Sequence, residues 1–194
     1  MLIQFMKIPI EISARHIHLS KKDLEKLFGP GYKLKVFRKL SEETQFAARE
    51  TVIARGKKSS LEMRVVGPIR KGTQLEISAT DSYRLGIKAP VRLSGDLAGT
   101  PEIVLEGPAG KIKIKKGVII AQRHLHLNSV EAKKMNLSHR HSVKVETLGE
   151  RRVTFENVIV RVKPDYTMSM HVDTDEGNAA GLWKKKNYGR LILK

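Results

Sequence analysis

Paired histidines are the residues of this sequence whose type and spacing point most directly to chemistry. The segment Arg15–Ser20 (RHIHLS) recurs as Arg123–Asn128 (RHLHLN), 108 residues later (124 − 16 = 108). Residues i and i+2 of a β-strand point to the same face, so each His-x-His can direct two imidazoles at one metal ion. A third protein ligand would leave one coordination position open, as in a catalytic zinc site. The sequence therefore predicts two metal sites, built on the pairs His16/His18 and His124/His126.

Each predicted site needs a third ligand from elsewhere in the chain. His171 is the best candidate for the second half of the sequence, and Glu76 for the first. A weaker repeat relates Thr80–Asp81 to Thr174–Asp175 at an offset of 94 residues (174 − 80 = 94). In that register Glu76 aligns with Met170, and a slip of one residue turns a side chain to the other face of its strand. The residues alone therefore leave Glu76 open between a metal ligand and a solvated strand carboxylate.

Composition limits the chemistry and the partners. The chain has no cysteine, which excludes disulfides, a cysteine nucleophile and thiolate metal sites, so any zinc must be held by histidine and carboxylate. The 37 Lys and Arg residues against 20 Asp and Glu give a formal net charge of +17, which favours a polyanionic partner or phosphorylated small ligands. Aromatic residues are only 5%, so stacking platforms for nucleic acid are scarce, and anionic small ligands are the preferred interpretation.

The sequence offers no candidate for a membrane span. No apolar run approaches the length that crosses a bilayer. Met1–Met6 is apolar but short and lacks a basic region, so no signal peptide is expected and the cytoplasm is the expected compartment.

The internal repeat and the short apolar runs predict the fold class. Both His-x-His motifs follow strand-like runs, and both lead into short helices with capping-box-like starts, Ser20-x-x-Asp23 and Asn128-x-x-Glu131. Most of the remaining chain consists of short strands between turns, without long alternating helices. We therefore expect a mainly β protein, in which a duplicated unit forms two small β-barrel domains with short capping α-helices.

A further His-x-His spacing, His139 with His141, has a different setting. No apolar run precedes it, and it has no counterpart in the other half of the repeat. It aligns with the turn-forming Gly29–Tyr32 of the first copy, so we expect an exposed turn there.

With these motifs the chain resembles the PduL-type phosphotransacylase (phosphate propanoyltransferase) family. The resemblance covers nearly the whole chain, from about Ile8 to Leu182. It rests on the two Arg-His-x-His-Leu motifs and on four further segments: Gln45–Ala48, Gly67–Ser78, Ser94–Leu97 and His171–Glu176. It implies two β-barrels with two zinc ions in a cleft between them. It also implies that residues 1–14 join residues 122–194 in one barrel, and that residues 15–121 form the other.

The resemblance further implies the site residues and the reaction. One zinc would be held by His16, His18 and Glu76, and the other by His124, His126 and His171. Arg70 resembles the family's phosphate-binding arginine. The implied reaction converts a short-chain acyl-CoA, propionyl- or acetyl-CoA, and phosphate into an acyl phosphate and free CoA. Because the chain has no cysteine, direct attack by bound phosphate is expected rather than a cysteinyl acyl-enzyme.

Several alternatives stay open from the sequence. Arg15 and Arg123 flank the histidine motifs and could orient phosphate or CoA, or serve a structural role. A dizinc hydrolase of esters or acyl phosphates and a basic nucleic-acid-binding protein with structural metal are the competing functions. A homo-oligomer stays open. Microcompartment association is not expected, because many encapsulated relatives carry an amphipathic N-terminal extension and only seven residues precede Ile8.

Overall fold

The computed structural model of this chain describes residues 7–42 and 44–192. Within that part the secondary structure is mainly β with short helices, which confirms the predicted fold class. None of the helices described is long and apolar enough to cross a membrane. The apolar start Met1–Met6, on which the signal-peptide expectation rests, lies outside the described residues.

Fifteen strands and four helices occur in the described ranges. The strands are β1 (Lys7–Ile12), β2 (His16–His18), β3 (Val36–Lys39), β4 (Phe46–Arg55), β5 (Ser60–Gly67), β6 (Gln74–Ile77), β7 (Val91–Arg92), β8 (Ile103–Gly107), β9 (Gly110–Ile114), β10 (Val118–Ala121), β11 (His124–Leu127), β12 (Ser142–Thr147), β13 (Thr154–Val162), β14 (Ser169–Val172) and β15 (Asn187–Ile192). The helices are α1 (Lys21–Phe28), α2 (Ala79–Leu85), α3 (Ser129–Lys134) and α4 (Thr174–Ala179).

The chain divides into two compact units, Met1–Ser13 with Gln122–Lys194, and Ala14–Ala121. The first unit is a closed barrel with the strand order β1-β14-β11-β13-β12-β15. Strand β1 closes it by pairing parallel to β14 and antiparallel to β15. Its core is filled by alternate residues of these strands, among them the fully buried Leu125, Leu127 and Met170.

The second unit is a sheet that curls into a half-barrel. Its hydrogen-bonded order is β7-β10-β6-β2-β5-β4-β8-β9, with β3 paired to β4. The core on its inner face includes Ile17, Leu75 and Val118, all fully buried. Because Ile17 lies between His16 and His18, the pleat that buries it carries both histidines to the opposite face.

The helices begin at capping residues. The two helices predicted after the His-x-His motifs are α1 and α3. Ser20 caps α1 by accepting a hydrogen bond from the Asp23 N–H, and α1 ends at Gly29, whose φ of 108° suits glycine. Asn128 and Glu131 form a capping box at α3. The sequence interpretation missed α2 and α4, which directly follow β6 and β14 and begin at the capping residues Ser78 and Asp173.

The positions of α2 and α4 correct the register of the weaker repeat. Glu76 is the Cα partner of His16 across β2 and β6, and His171 is the partner of His124 across β11 and β14. The equivalent residues are thus separated by 95 positions (171 − 76 = 95). The N-caps Ser78 and Asp173 have the same separation. The matching Thr-Asp pairs had indicated 94, and the alignment of Glu76 with Met170 was wrong for that reason.

Candidate active site

One candidate metal site lies on β2 and β6 of the half-barrel. His16, His18 and Glu76 each present a ligand atom, and these atoms all lie within 4.8 Å of one another. The His16 Nε2 atom is 3.8 Å from Glu76 Oε2, and the His18 Nε2 atom is 4.0 Å from Glu76 Oε1. Glu76 is only 8% exposed, so it is not the solvated strand carboxylate that was the alternative interpretation.

Backbone carbonyls orient both histidines of this cluster. The Nδ1 atom of His16 lies 2.9 Å from the carbonyl oxygen of Ala14, and that of His18 lies 2.9 Å from the carbonyl oxygen of Val66. A carbonyl can only accept, so each Nδ1 donates and each Nε2 turns a lone pair toward Glu76. Burial, together with the nearby His16 and Arg70, lowers the pKa of His18 to about 3. His18 is therefore neutral at physiological pH, as a metal ligand must be.

A second candidate metal site lies on β11 and β14 of the barrel. His124, His126 and His171 offer ligand atoms within 4.8 Å of one another. The Nδ1 atom of His124 lies 2.8 Å from the Gln122 carbonyl oxygen, the same arrangement as in the first cluster. The His126 ring stacks on Tyr166 with ring centroids 3.9 Å apart.

The helix that follows this second cluster begins with a perturbed carboxyl. Asp173 accepts the Glu176 N–H at 2.8 Å as the N-cap of α4. Burial raises the pKa of Asp173 to about 6, and the charges of Glu176 and Asp175 add to this effect. The backbone hydrogen bonds of the cap act in the opposite direction.

Both clusters suit zinc. Two histidines with a glutamate, and three histidines, are ligand sets of catalytic zinc sites. Bonds of about 2.0–2.1 Å in tetrahedral geometry put zinc ligand atoms about 3.4 Å apart. The distances of 3.8 and 4.0 Å from the histidine nitrogens to the Glu76 oxygens are close to that separation. Small side-chain adjustments would thus allow these residues to hold the ion.

Arg70 lies beside the first cluster. Its backbone N–H donates to the Leu19 carbonyl at 2.9 Å, and it forms a parallel bridge with Ser20, which ties it to the end of β2. Its guanidinium donates to Ser94 Oγ at 3.2 Å and to Gln45 Oε1 at 3.5 Å. Because its charge contributes to lowering the pKa of His18, the guanidinium lies within electrostatic reach of the cluster.

Arg15 and Arg123 make equivalent ion pairs at the start of the two histidine motifs. Arg15 forms a two-bonded pair with Asp81, both distances being 2.8 Å. Arg123 donates to Glu176 Oε1 at 2.6 Å and to the Glu156 carbonyl at 2.7 Å. Asp81 and Glu176 both lie in the first turns of helices, α2 and α4. Each arginine thus connects a histidine motif to the helix that follows the third ligand of the same unit.

Two polar residues next to the first cluster were not among the sequence-predicted site residues. Gln74 is only 3% exposed and donates to Glu76 Oε1 at 2.5 Å. Ser94 accepts from both Gln74 and Arg70. Strand alternation could have identified Gln74, which lies two residues before Glu76 and so on the same face, whereas Ser94 was indicated only as part of the family-like segment Ser94–Leu97.

The remaining histidine pair is separate from both clusters. His139 and His141 lie in an exposed turn and belong to neither ligand set, as predicted.

Comparisons with known proteins identify the family of this chain. The family model "Phosphate propanoyltransferase" matches residues 9–183. A phosphate propanoyltransferase of Thermotoga maritima is 50% identical over 95% of this chain and 87% of its own length. Proteins of the same name from Listeria monocytogenes and Salmonella typhimurium are 45% and 44% identical, over 96% and 95% of this chain and 88% and 89% of their own lengths. A match of this extent, together with the two ligand sets, shows that the chain belongs to the phosphate propanoyltransferase family.

Proposed function

We propose that this chain is a phosphotransacylase that interconverts a short-chain acyl-CoA and phosphate with an acyl phosphate and free CoA, using two zinc ions. Propionyl-CoA and acetyl-CoA are the proposed acyl donors. The observation that carries the proposal is Arg70 beside the His16/His18/Glu76 cluster. The names of the relatives support the choice of propionyl transfer.

The reaction needs a positive group that holds phosphate at the acyl carbon. Arg70 performs this task, because a guanidinium offers planar paired donors that match phosphate oxygens and keeps its charge at every physiological pH. Its bonds to the neutral oxygens of Ser94 and Gln45, at 3.2 and 3.5 Å, hold the guanidinium next to the first cluster.

The covalent step exchanges one bond at the acyl carbon. A phosphate oxygen forms a bond to the thioester carbonyl carbon, the carbon–sulfur bond breaks, and CoA leaves as the thiolate. A cysteinyl acyl-enzyme is excluded because the chain has no cysteine, and the proposed step is direct attack by bound phosphate. When bound, zinc supplies a Lewis acid that can polarise a carbonyl and accept a soft thiolate.

The ligand side chains must be ready for the ion. Burial keeps the pKa of His18 low and the ring neutral, and the bond from its Nδ1 to the Val66 carbonyl oxygen fixes the ring orientation. Glu76 supplies the negative charge at this site, whereas the second site has three histidines. The two ligand sets therefore differ in charge by one unit.

The two alternative functions are less well supported. A hydrolase would use the same ligand types to activate water, and a nucleic-acid-binding protein would use them structurally. The phosphate propanoyltransferase relatives, which match over at least 95% of this chain, favour neither.

An assay of CoA release distinguishes the three functions. Purified protein is incubated with propionyl-CoA, with and without phosphate, and free thiol is measured. We expect release that requires phosphate. Release at the same rate without phosphate would indicate a hydrolase, and no release in either case from zinc-loaded protein would contradict the phosphotransacylase.

A further inference from the structure

The carboxamide of Gln74 occupies a fixed position between three groups. Its Nε2 atom donates to Glu76 Oε1 at 2.5 Å and to Ser94 Oγ at 2.8 Å, and its Oε1 atom accepts from the Gly95 N–H at 2.8 Å. The N–H of Gly95 can only donate and an ionised carboxylate can only accept, so these partners determine which way the amide faces. At 3% exposure, Gln74 is shielded from the water that would otherwise compete for these bonds.

These bonds connect Glu76, a candidate metal ligand, to Arg70, the proposed phosphate-binding residue. Ser94 accepts from Gln74 on one side and from Arg70 on the other. The continuous path is thus Glu76, Gln74, Ser94 and Arg70, within one unit of the chain. A shift of the Gln74 amide would disturb a metal ligand and the setting of the guanidinium together.

The barrel unit contains a simpler version of the same arrangement. Ser169 is the cross-strand partner of His126, as Gln74 is of His18. The Ser169 hydroxyl lies 2.9 Å from His171 Nε2. In both units, therefore, the residue two positions before the third ligand is hydrogen-bonded to that ligand.

We infer that Gln74 is a positioning residue that fixes Glu76 for metal binding and, through Ser94, couples this site to phosphate binding at Arg70. The inference rests on the proposed function for its phosphate part. Groups that hydrogen-bond metal ligands typically change metal affinity by about 10–100-fold when removed. The KM for phosphate should also change when Gln74 is replaced. Ser94 would then lose one of the two hydrogen bonds that it accepts, and the other comes from the Arg70 guanidinium.

Two substitutions of Gln74 test the inference. Gln74→Met keeps the length of the side chain and removes all three hydrogen bonds. Gln74→Glu keeps the shape and the acceptor for Gly95, but it replaces the donor facing Glu76 with an oxygen. Either variant that retains the wild-type circular dichroism spectrum suffices, so a folding failure of one leaves the test intact.

Zinc affinity is measured by competition with a chromophoric chelator, and KM is measured separately for phosphate and propionyl-CoA. We expect one zinc of the two to be released about 10–100-fold more readily, with the other unchanged. We also expect the KM for phosphate to rise at least about threefold while the KM for propionyl-CoA changes less than twofold. Ser169→Ala is the matched variant in the barrel, and it should weaken the other zinc instead.

The result that would overturn the inference is a folded Gln74 variant with both zinc affinities and the phosphate KM within about twofold of wild type. Weakening of both zincs together would also overturn it, because that indicates a general structural role. Failure of the proposed function is separately visible: a wild-type protein that releases no CoA still reports zinc affinity in the chelator assay.

Discussion

At the scale of single residues, the proposed chemistry depends on Arg70 and the six candidate ligand residues. The backbone N–H of Arg70 donates to the Leu19 carbonyl oxygen, and its guanidinium donates to the neutral oxygen atoms of Ser94 and Gln45. A side chain whose backbone is fixed beside the first cluster is suited to present its guanidinium to an incoming anion. The following substitutions test this role and the independence of the two ligand sets.

Replacing Arg70 should damage phosphate use specifically. We expect Arg70→Ala to raise the KM for phosphate and to lower kcat, with little change in the KM for acyl-CoA. The loss should be about 2–4 kcal/mol, as for other buried charge-assisted contacts. Arg70→Lys should recover only part of it, because the ammonium lacks the paired donors. Steady-state kinetics with each substrate varied in turn provide the measurement, and an unchanged phosphate KM and kcat in folded Arg70→Ala would refute the assignment.

Replacing one histidine should empty one metal site. Each ligand set is built within its own unit, so His126→Ala should reduce bound zinc from about two ions to about one per chain. The matched variant His18→Ala should do the same at the other site. Elemental analysis of the purified variants measures this, and loss of both ions from either variant would contradict independent sites.

At the scale of secondary-structure elements, two ion pairs connect strands to helices. Arg15 connects the start of β2 to α2, and Arg123 connects the start of β11 to α4. Asp81 is only 3% exposed at its side chain, and Arg15 is its partner. An arginine already engaged in a two-bonded pair is better explained as a structural element than as a ligand for phosphate or CoA.

Removal of Arg15 should therefore affect stability more than catalysis. Arg15→Ala leaves the buried Asp81 carboxylate without its guanidinium, and we expect the free energy of unfolding to fall by about 1–3 kcal/mol. The double variant Arg15→Ala/Asp81→Ala should lose less than the sum of the two single variants. Chemical denaturation measures both effects. A variant Arg15→Ala with unchanged stability and a raised KM for phosphate or acyl-CoA would instead assign Arg15 to substrate binding.

The elements also show which structural features the sequence could predict. The alternation of His16, Ile17 and His18 predicted a strand with both imidazoles on one face, because that depends on the local pleat alone. Helices α2 and α4, with seven and six residues, are too short for a periodic pattern, and they were missed although Ser78-x-x-Asp81 and Asp173-x-x-Glu176 match the capping pattern that predicted α1 and α3. Without them, the Thr-Asp resemblance set the wrong register. The cross-strand pairing of Glu76 with His16 is a long-range contact that no local pattern contains.

At the scale of the whole molecule, the net charge of +17 should influence how substrates arrive. Acyl-CoA carries several phosphate charges, and a positively charged protein attracts such a ligand. Salt weakens this attraction because it screens interactions between distant charges. Raising the ionic strength from about 0.05 to about 0.5 M should therefore increase the KM for propionyl-CoA several-fold, with a smaller change in kcat.

Propionyl-pantetheine is the matched control for this effect, because it has the same thioester without the nucleotide phosphates. Its KM should respond little to salt. Equal salt dependence for the two thioesters would show that the excess charge acts on phosphate or on the protein itself, not on CoA.

In the proposed reaction the acyl group moves from sulfur to phosphate, not to water. The most direct measurement follows propionyl-CoA consumption with phosphate present and quantifies propionyl phosphate by ³¹P NMR and free CoA by a thiol assay in the same samples. We expect the two products to appear in equal amounts, and neither to appear when phosphate is omitted or when zinc is removed with a chelator. Free CoA accompanied by propionate, without propionyl phosphate, would contradict the proposed reaction.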